Sequence, residues 1–258
     1  IQFNDYSLKI AAEENGFQFY DENNNLLETT FAENVYKVVD DPYNKHTFTL
    51  KTMEERYVIL DSTIVTNRGG RVIRFVVDDD TEIKVLGYRG EFLDDIKAPS
   101  FGFEGREQMA SNRGYIWSRS IPMLKNTMLW GHGPDTYALH FPNNDFVGKF
   151  LGFSDINMVV DKPHNMYLQI AINTGLTSLV AFLGLVGAYI IDSFKLYLNR
   201  KEYLGFIDVA GLGILMAVIV YLFTGLSNDS IVSVAPVFWI LLGSGMAVNY
   251  KLKEESQK

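Results

Sequence analysis

The sequence lacks cysteine altogether, and cationic residues become few toward its C-terminal end. Without cysteine, the 258-residue chain has no disulfide framework, no thiolate metal site and no cysteine nucleophile. Residues 164–258 hold six of the 23 Lys and Arg and six of the 31 Asp and Glu, so residues 1–163 carry the whole net charge of −8. This division excludes a disordered chain, a uniformly soluble globule and a nucleic-acid binder with a basic face.

The C-terminal part of the chain contains three long apolar runs, which are Met166–Ile191, Val209–Leu226 and Ile231–Tyr250. A helix of about 20 apolar residues crosses the roughly 30 Å hydrocarbon core of a bilayer. The three runs therefore predict three transmembrane helices within residues 164–258, whereas a single run could also be a buried core helix. Lys and Arg favour the cytoplasmic side; they lie after the first run and in the tail, at Lys195, Arg200, Lys201, Lys251, Lys253 and Lys258. We expect residues 1–163 to be extracytoplasmic.

Residues 1–100 have the pattern of β-strands. Apolar side chains alternate with polar neighbours at Phe48 and Leu50, and again at Ile73, Phe75 and Val77, which is typical of antiparallel strands with one buried face. The run Asp78–Asp80 that follows lacks the spaced ligands and distal Glu of a calcium loop, so it predicts a hairpin turn. The prediction for residues 1–100 is a β-rich domain.

Residues 101–163 change to a helical pattern. One apolar face, predicted over Gln108–Met128 at spacings of three and four residues, is formed by Trp117, Ile121, Leu124 and Met128. Pro122 lies within this segment and predicts a kink. The overall prediction is a membrane protein with three α-helical transmembrane segments and a large extracytoplasmic region, β-rich over 1–100 and then α-helical over 101–163.

Four short motifs follow one another between residues 105 and 190. They are Arg113-Gly-Tyr-Ile-Trp117, Gly131-His-Gly133, Asp161-Lys-Pro-His164-Asn165-Met-Tyr167-Leu168-Gln169, and Gly175. In this order, beside a predicted membrane entry, they resemble the bacterial O-antigen ligase and polymerase family. The β-rich segment lies outside the resemblance. Because the family has earlier membrane spans and this chain begins at Ile1 without an initiator Met, we expect it to be the C-terminal part of a longer protein.

The resemblance implies a multi-pass glycosyltransferase of the bacterial cell membrane. Such an enzyme transfers or polymerises glycan units from a polyprenyl-pyrophosphate donor onto a hydroxyl acceptor, which is a glycan or a lipid, for cell-surface polysaccharide. The resemblance implies neither a cofactor nor a metal ion, and inversion is expected for a single displacement. Ligase and polymerase both remain open, with Ser178 and the large β-rich region favouring a polymerase.

The chemistry of such a transfer suggests catalytic roles for His164 and Arg113. The diphosphate is already a good leaving group, so the reaction needs a base for the acceptor hydroxyl and cations for the diphosphate. Histidine suits the first task because its ordinary pKa is about 6.5, and arginine suits the second through its permanent charge and forked donors. The alternatives are an interfacial histidine without chemistry, and an arginine that pairs with Glu107 or Glu104.

Five further residues are candidates for substrate binding: Arg119, Asn165, Trp117, Tyr167 and Asp161. Arg119 could assist Arg113, and the two aromatic rings could stack on sugars or simply pack. Asp161 is expected to cap the first transmembrane helix, with Pro163 in its first turn. A non-catalytic alternative for the whole chain is a membrane-anchored receptor or scaffold whose β-rich domain binds a glycan or a protein.

Overall fold

A computed structural model describes residues 7–13, 16–53, 57–66, 69–77, 83–87, 89–93, 96–199 and 205–256. The chain forms two compact units. Unit 1 comprises Ile1–Pro122 and Pro142–Val160, and unit 2 comprises Met123–Phe141 and Asp161–Lys258. The domain boundaries predicted after residues 100 and 163 stay a prediction.

Unit 1 begins with antiparallel β-structure, as the alternating pattern predicts. Strands β1 (Lys9–Glu13) and β2 (Gly16–Tyr20) form a hairpin. A seven-stranded sheet follows, in which each strand pairs antiparallel with the next along the chain. Its strands are β3 (Thr29–Ala32), β4 (Val35–Val38), β5 (His46–Met53), β6 (Tyr57–Thr66), β7 (Gly69–Val77), β8 (Ile83–Leu86) and β9 (Phe92–Leu93).

The core of unit 1 lies on one face of this β-structure. Phe19 and Phe48 are fully buried and their ring centroids lie 4.7 Å apart. Ile73, Phe75 and Val85 are also buried in this core, since alternate residues of a strand share a face. Burying a side chain of this size stabilises the fold by about 1.5–3 kcal/mol. The predicted turn at Asp78–Asp80 lies outside the described residues.

The helices of unit 1 are α1 (Met109–Met123) and α3 (Phe146–Phe153), and the short α2 (Tyr137–His140) lies in unit 2. The helix is interrupted at residues 110–112, which are left-handed with φ of 52°, 60° and 69°, and the kink expected at Pro122 stays a prediction. Pro122 has no N–H for the carbonyl of Ser118, and that carbonyl accepts from the Phe101 amide at 2.9 Å instead. Proline is therefore tolerated close to the end of the helix.

The predicted apolar face of α1 is also wrong in part. Tyr115 and Ile116 are buried, together with Ser118 and Ser120, whereas Trp117 is only half-buried. Met128 lies beyond the helix and is 61% exposed, because a 3-10 turn at Leu124–Asn126 ends the helical segment. The spacing of apolar residues does not indicate the buried face correctly, because small polar side chains form part of that face.

Unit 2 contains four further helices, α4 (Met166–Asn173), α5 (Leu176–Leu198), α6 (Phe206–Thr224) and α7 (Ala235–Ser256). The prediction of one continuous span over Met166–Ile191 is wrong, because the chain breaks at Gly175, where φ is 107°. Within the described ranges, α5 and α6 are long and apolar enough to cross a membrane, by length and composition. Helix α7 does not meet the same requirement of length and mean hydropathy, so the structure does not show three such helices.

Candidate functional site

His164 forms a pair with Asp229, a residue that sequence reasoning missed. Nδ1 of His164 lies 2.9 Å from Oδ2 of Asp229. The Asp229 side chain is 6% exposed and that of His164 is 43% exposed. A carboxylate at Nδ1 accepts the proton carried there, so Nε2 becomes the basic nitrogen of the neutral ring. The pair therefore holds the imidazole in one orientation with its basic nitrogen available.

Asp229 occupies a position that the sequence marks only weakly. It is the single charged residue between Asp208 and Lys251, and it lies in the link between α6 and α7. An isolated charge between two apolar runs is a signal of function in membrane proteins. Its second oxygen, Oδ1, is buried and has no hydrogen-bond partner within the described part of the chain. This orphaned acceptor leaves the carboxylate able to receive one more donor.

The start of α4 lies directly after His164, whose own φ of 49° is left-handed. Asn165 caps the helix, because its Oδ1 accepts from the Leu168 amide at 2.9 Å. The prediction that Asp161 caps this helix is therefore wrong; Asp161 is exposed and lies four residues before the cap. The amide of Asn165 also donates through Nδ2 to the Leu226 carbonyl at 2.9 Å, which ties the cap to the α6–α7 link.

Two other side chains of α4 hold the same link. Gln169 accepts from the Ser230 amide through Oε1 at 2.8 Å and donates through Nε2 to the Ser230 carbonyl at 3.4 Å. Tyr167 donates its hydroxyl to the Leu222 carbonyl at 2.7 Å. These bonds, with that of Asn165, fasten the backbone on both sides of Asp229 to the helix that follows His164. We call this set of three side chains the α4 clamp.

The glycines of the motifs have a structural explanation within unit 2. A Cβ at Gly131 would overlap the backbone of Asn173, at the end of α4. The close approach lets the His132 amide donate to the Ile172 carbonyl at 3.0 Å and the Gly133 amide donate to the Asn173 carbonyl at 2.8 Å. The Gly-x-Gly loop thus packs against the end of the helix whose start holds the His164 site.

A second histidine pair lies beside this loop. The rings of His132 and His140 stack with centroids 3.8 Å apart and planes inclined by 10°. Burial lowers the pKa of His132, and the neighbouring His140 lowers it further, because two adjacent imidazolium rings repel each other. The sequence showed both histidines but not their contact.

The predicted arginines belong to unit 1, whereas His164 belongs to unit 2. Arg113 is half-buried in the first right-handed turn of α1. In the described part of the chain it forms neither an ion pair nor a side-chain hydrogen bond, so the alternative pairing with Glu107 or Glu104 is not seen there. Trp117, one turn further on, packs edge-on against Phe103 with ring centroids 5.8 Å apart.

Arg119 has a different environment. Its Nε donates to Oδ2 of Asp145 at 2.9 Å, and its guanidinium lies over the Tyr115 ring, 4.7 Å from the centroid. Asp145 also accepts from the Tyr115 hydroxyl at 3.1 Å and, through Oδ1, from the Gly148 amide at 3.1 Å, which caps α3. This buried pair joins α1 to α3. Breaking such a pair by removing one partner typically costs about 3–5 kcal/mol.

The described residues contain no group of three or more His, Asp or Glu side chains that could hold a metal ion. In comparisons with known proteins, a family model described as O-antigen ligase matches residues 63–183. The matched range includes Arg113, His164 and Gly175 but ends before Asp229. No curated protein and no solved structure matches the sequence. The family match confirms the resemblance that the motifs indicate, but it begins at residue 63, so the expectation that the β-rich segment lies outside the resemblance is wrong for residues 63–100.

Proposed function

We propose a glycan-transfer reaction for the protein, because a family model described as O-antigen ligase matches residues 63–183. The donor is a glycan on polyprenyl pyrophosphate, and the acceptor is a hydroxyl of a second glycan or of a lipid. The product is cell-surface polysaccharide, by ligation or by polymerisation. The observation that carries the proposal is the His164–Asp229 pair at 2.9 Å, in which His164 lies directly before helix α4 and within the matched range.

His164 is the proposed general base. The acceptor oxygen attacks the anomeric carbon while its proton passes to Nε2 of His164. The bond between that carbon and the diphosphate oxygen breaks, and the lipid pyrophosphate leaves with the electron pair. A single displacement of this kind inverts the anomeric centre. Asp229 orients the ring and stabilises the imidazolium that forms, in the way that a carboxylate supports a catalytic histidine in acyl transfer.

Arg113 is the proposed diphosphate ligand. Its guanidinium carries five N–H donors in a planar fork that matches phosphate oxygens, and in the described part of the chain it is not committed to a carboxylate. Asn165, Tyr167 and Asp161 flank His164 in the sequence, so we keep them as residues near the acceptor or the donor head group. Trp117 is placed with Arg113 on α1.

The proposed setting is the bacterial cell membrane, with residues 1–163 outside the cell and no cofactor involved. Two helices support it by length and composition. Their outward surfaces are apolar: Val180, Val209 and Phe223 are each more than 60% exposed. Large exposed apolar faces on long helices suit hydrocarbon better than water. Membrane lipids would then cover these faces.

The test is transfer activity of His164→Ala, measured with a lipid-pyrophosphate-linked glycan donor and the intact protein in membranes. A general base contributes typically about 10²- to 10⁴-fold, so we expect a loss in this range while donor binding persists. His140→Ala is the matched control, since it also removes an exposed histidine of unit 2. A loss below about tenfold, or an equal loss in the control, would contradict the proposal and favour the receptor alternative.

A further inference from the structure

Unit 1 contains an open cavity of about 570 Å³ that none of the proposed chemistry uses. Its volume is within the range of about 300–1,000 Å³ that small-molecule sites occupy. Strands β1, β7 and β8 supply an apolar floor, which includes Ile10, Phe75 and Val85. Segment 97–107 and helices α1 and α3 supply the remaining wall. The cavity therefore lies where the β-rich part of the chain packs against the helical part of the same unit.

The polar groups around the cavity are balanced in charge. Among the described lining residues, the cations are Lys9, Lys97 and Arg119, and the carboxylates are Glu104, Glu107 and Asp145. Arg119 is already held by Asp145 at 2.9 Å, and Lys9 donates to Asn24 at 3.0 Å. A phosphate or another anion would thus face three carboxylates, while two of the three cations already have hydrogen-bond partners. The charges disfavour an anionic ligand.

The same groups also disfavour a purely apolar ligand. Glu107 is 9% exposed at the cavity wall, and burial raises the pKa of its carboxyl. Filling the cavity with a lipid chain would remove water from the charged groups around it and supply no hydrogen bond in return, which is costly for charged groups. The ligand that fits must offer hydroxyls to both signs of charge and an apolar face to the floor.

We propose that this cavity binds an uncharged sugar unit of the glycan. A sugar ring donates hydrogen bonds to carboxylates, accepts them from ammonium and guanidinium groups, and lays its C–H face on an apolar floor. The inference rests on the proposed function for the origin of the glycan. It places sugar recognition in unit 1, with Arg119 as a group that helps to shape the wall. It needs no participation of His164 or Arg113, which do not line the cavity.

The experiment is saturation-transfer NMR on the intact protein with four probes: glucose, galactose, N-acetylglucosamine and N-acetylgalactosamine. Inorganic pyrophosphate, observed by phosphorus NMR, is the anionic comparison. We expect at least one sugar to bind. Ser100→Trp adds bulk at an exposed lining position and should abolish the signal, whereas Asn44→Trp, at an exposed position outside the cavity, should leave it unchanged.

A second pair of variants guards against misfolding of the tryptophan variant. Glu104→Ala removes an exposed carboxylate of the lining and should weaken sugar binding about tenfold, as for loss of one charge-assisted hydrogen bond. Glu22→Ala, an exposed carboxylate elsewhere in unit 1, should leave it unchanged. Binding of pyrophosphate but of no sugar, or equal sugar binding by all variants, would overturn the inference. Such a failure leaves the His164 test untouched, and a failed His164 test leaves sugar binding untouched.

Discussion

At the scale of single residues, Asp229 is the side chain on which the proposed base depends most directly. Its Oδ2 receives Nδ1 of His164, and the whole carboxylate is nearly buried. Asn at this position keeps the size but supplies only one neutral acceptor, and its Nδ2 can face His164 instead. The ring would then lose both its fixed orientation and the charge that stabilises imidazolium.

We therefore expect Asp229→Asn to lower the transfer rate at least about tenfold while donor binding persists. Steady-state transfer with the lipid-linked donor measures the rate, and donor binding in detergent measures affinity. Asn228→Ala changes the adjacent exposed residue and serves as the control. A wild-type rate for Asp229→Asn would mean that the contact has no role in the reaction.

The sequence predicts a site residue only where that residue belongs to a local motif. His164 and Asn165 stand in one short motif, Gly175 follows it closely, and the family match covers all three. Asp229 meets His164 only through tertiary packing, 65 residues along the chain, and no local pattern encodes that contact. Asn165 was predicted to bind substrate but not to cap α4, since one amide side chain can serve either purpose.

At the scale of elements, the α4 clamp binds the segment of backbone that contains Asp229. Gln169 holds both backbone polar groups of Ser230, the residue that follows Asp229. Tyr167 holds Leu222, which is seven residues before Asp229. We therefore expect the two bonds of Gln169 to set the local direction of the carboxylate, whereas the bond of Tyr167 secures the end of α6.

This difference predicts unequal effects of two substitutions. Gln169→Leu should lower kcat about 10- to 100-fold with little change in donor KM, because misplacement of a positioning group by about 1 Å costs that much. Gln169→Glu keeps the acceptor for the Ser230 amide and should retain more activity. Tyr167→Phe removes one hydrogen bond, worth about 1 kcal/mol, and should lower thermal stability, with a smaller loss of kcat than Gln169→Leu. Equal kcat for all three variants would contradict a positioning role for Gln169.

The break between α4 and α5 shows why apolar runs set the extent of a helix poorly. Hydropathy is continuous across residues 166–191, whereas the backbone turns at Gly175, where a Cβ would approach the Leu129 carbonyl to 2.7 Å. In the sequence, the glycine marks this break in the helix, whereas the hydropathy does not. Helix α1 is also interrupted, at residues 110–112 directly before the arginine of the motif, but no glycine marks that break.

At the scale of the whole molecule, the sequence predicted a β-rich part followed by apolar helices, and the structure confirms that order. It did not predict the cavity, because the lining comes from three strands, a loop and two helices that are distant along the chain. Composition alone also does not determine the number of membrane-spanning helices. The run Ile231–Tyr250 is uncharged, but α7 begins at Ala235 and extends through Lys251 and Lys253.

The orientation of these helices can be measured directly, since the 258 residues contain no cysteine to remove. Single cysteines at Asn44, Asn199, Asn228 and Glu255 all occupy exposed positions. If residues 1–163 are outside and α5, α6 and α7 all span, an impermeant thiol reagent should label intact cells at Asn44 and Asn228 but not at Asn199 or Glu255, as positive residues near the last two positions favour the inside. Permeabilised cells, in which all four sites should react, provide the control. Labelling at Glu255 in intact cells would show that α7 does not span the membrane and would reduce the number of spans to two. Labelling at Asn199 but not at Asn228 would place the His164–Asp229 pair inside the cell, and the proposed reaction could then not take place on the outer face.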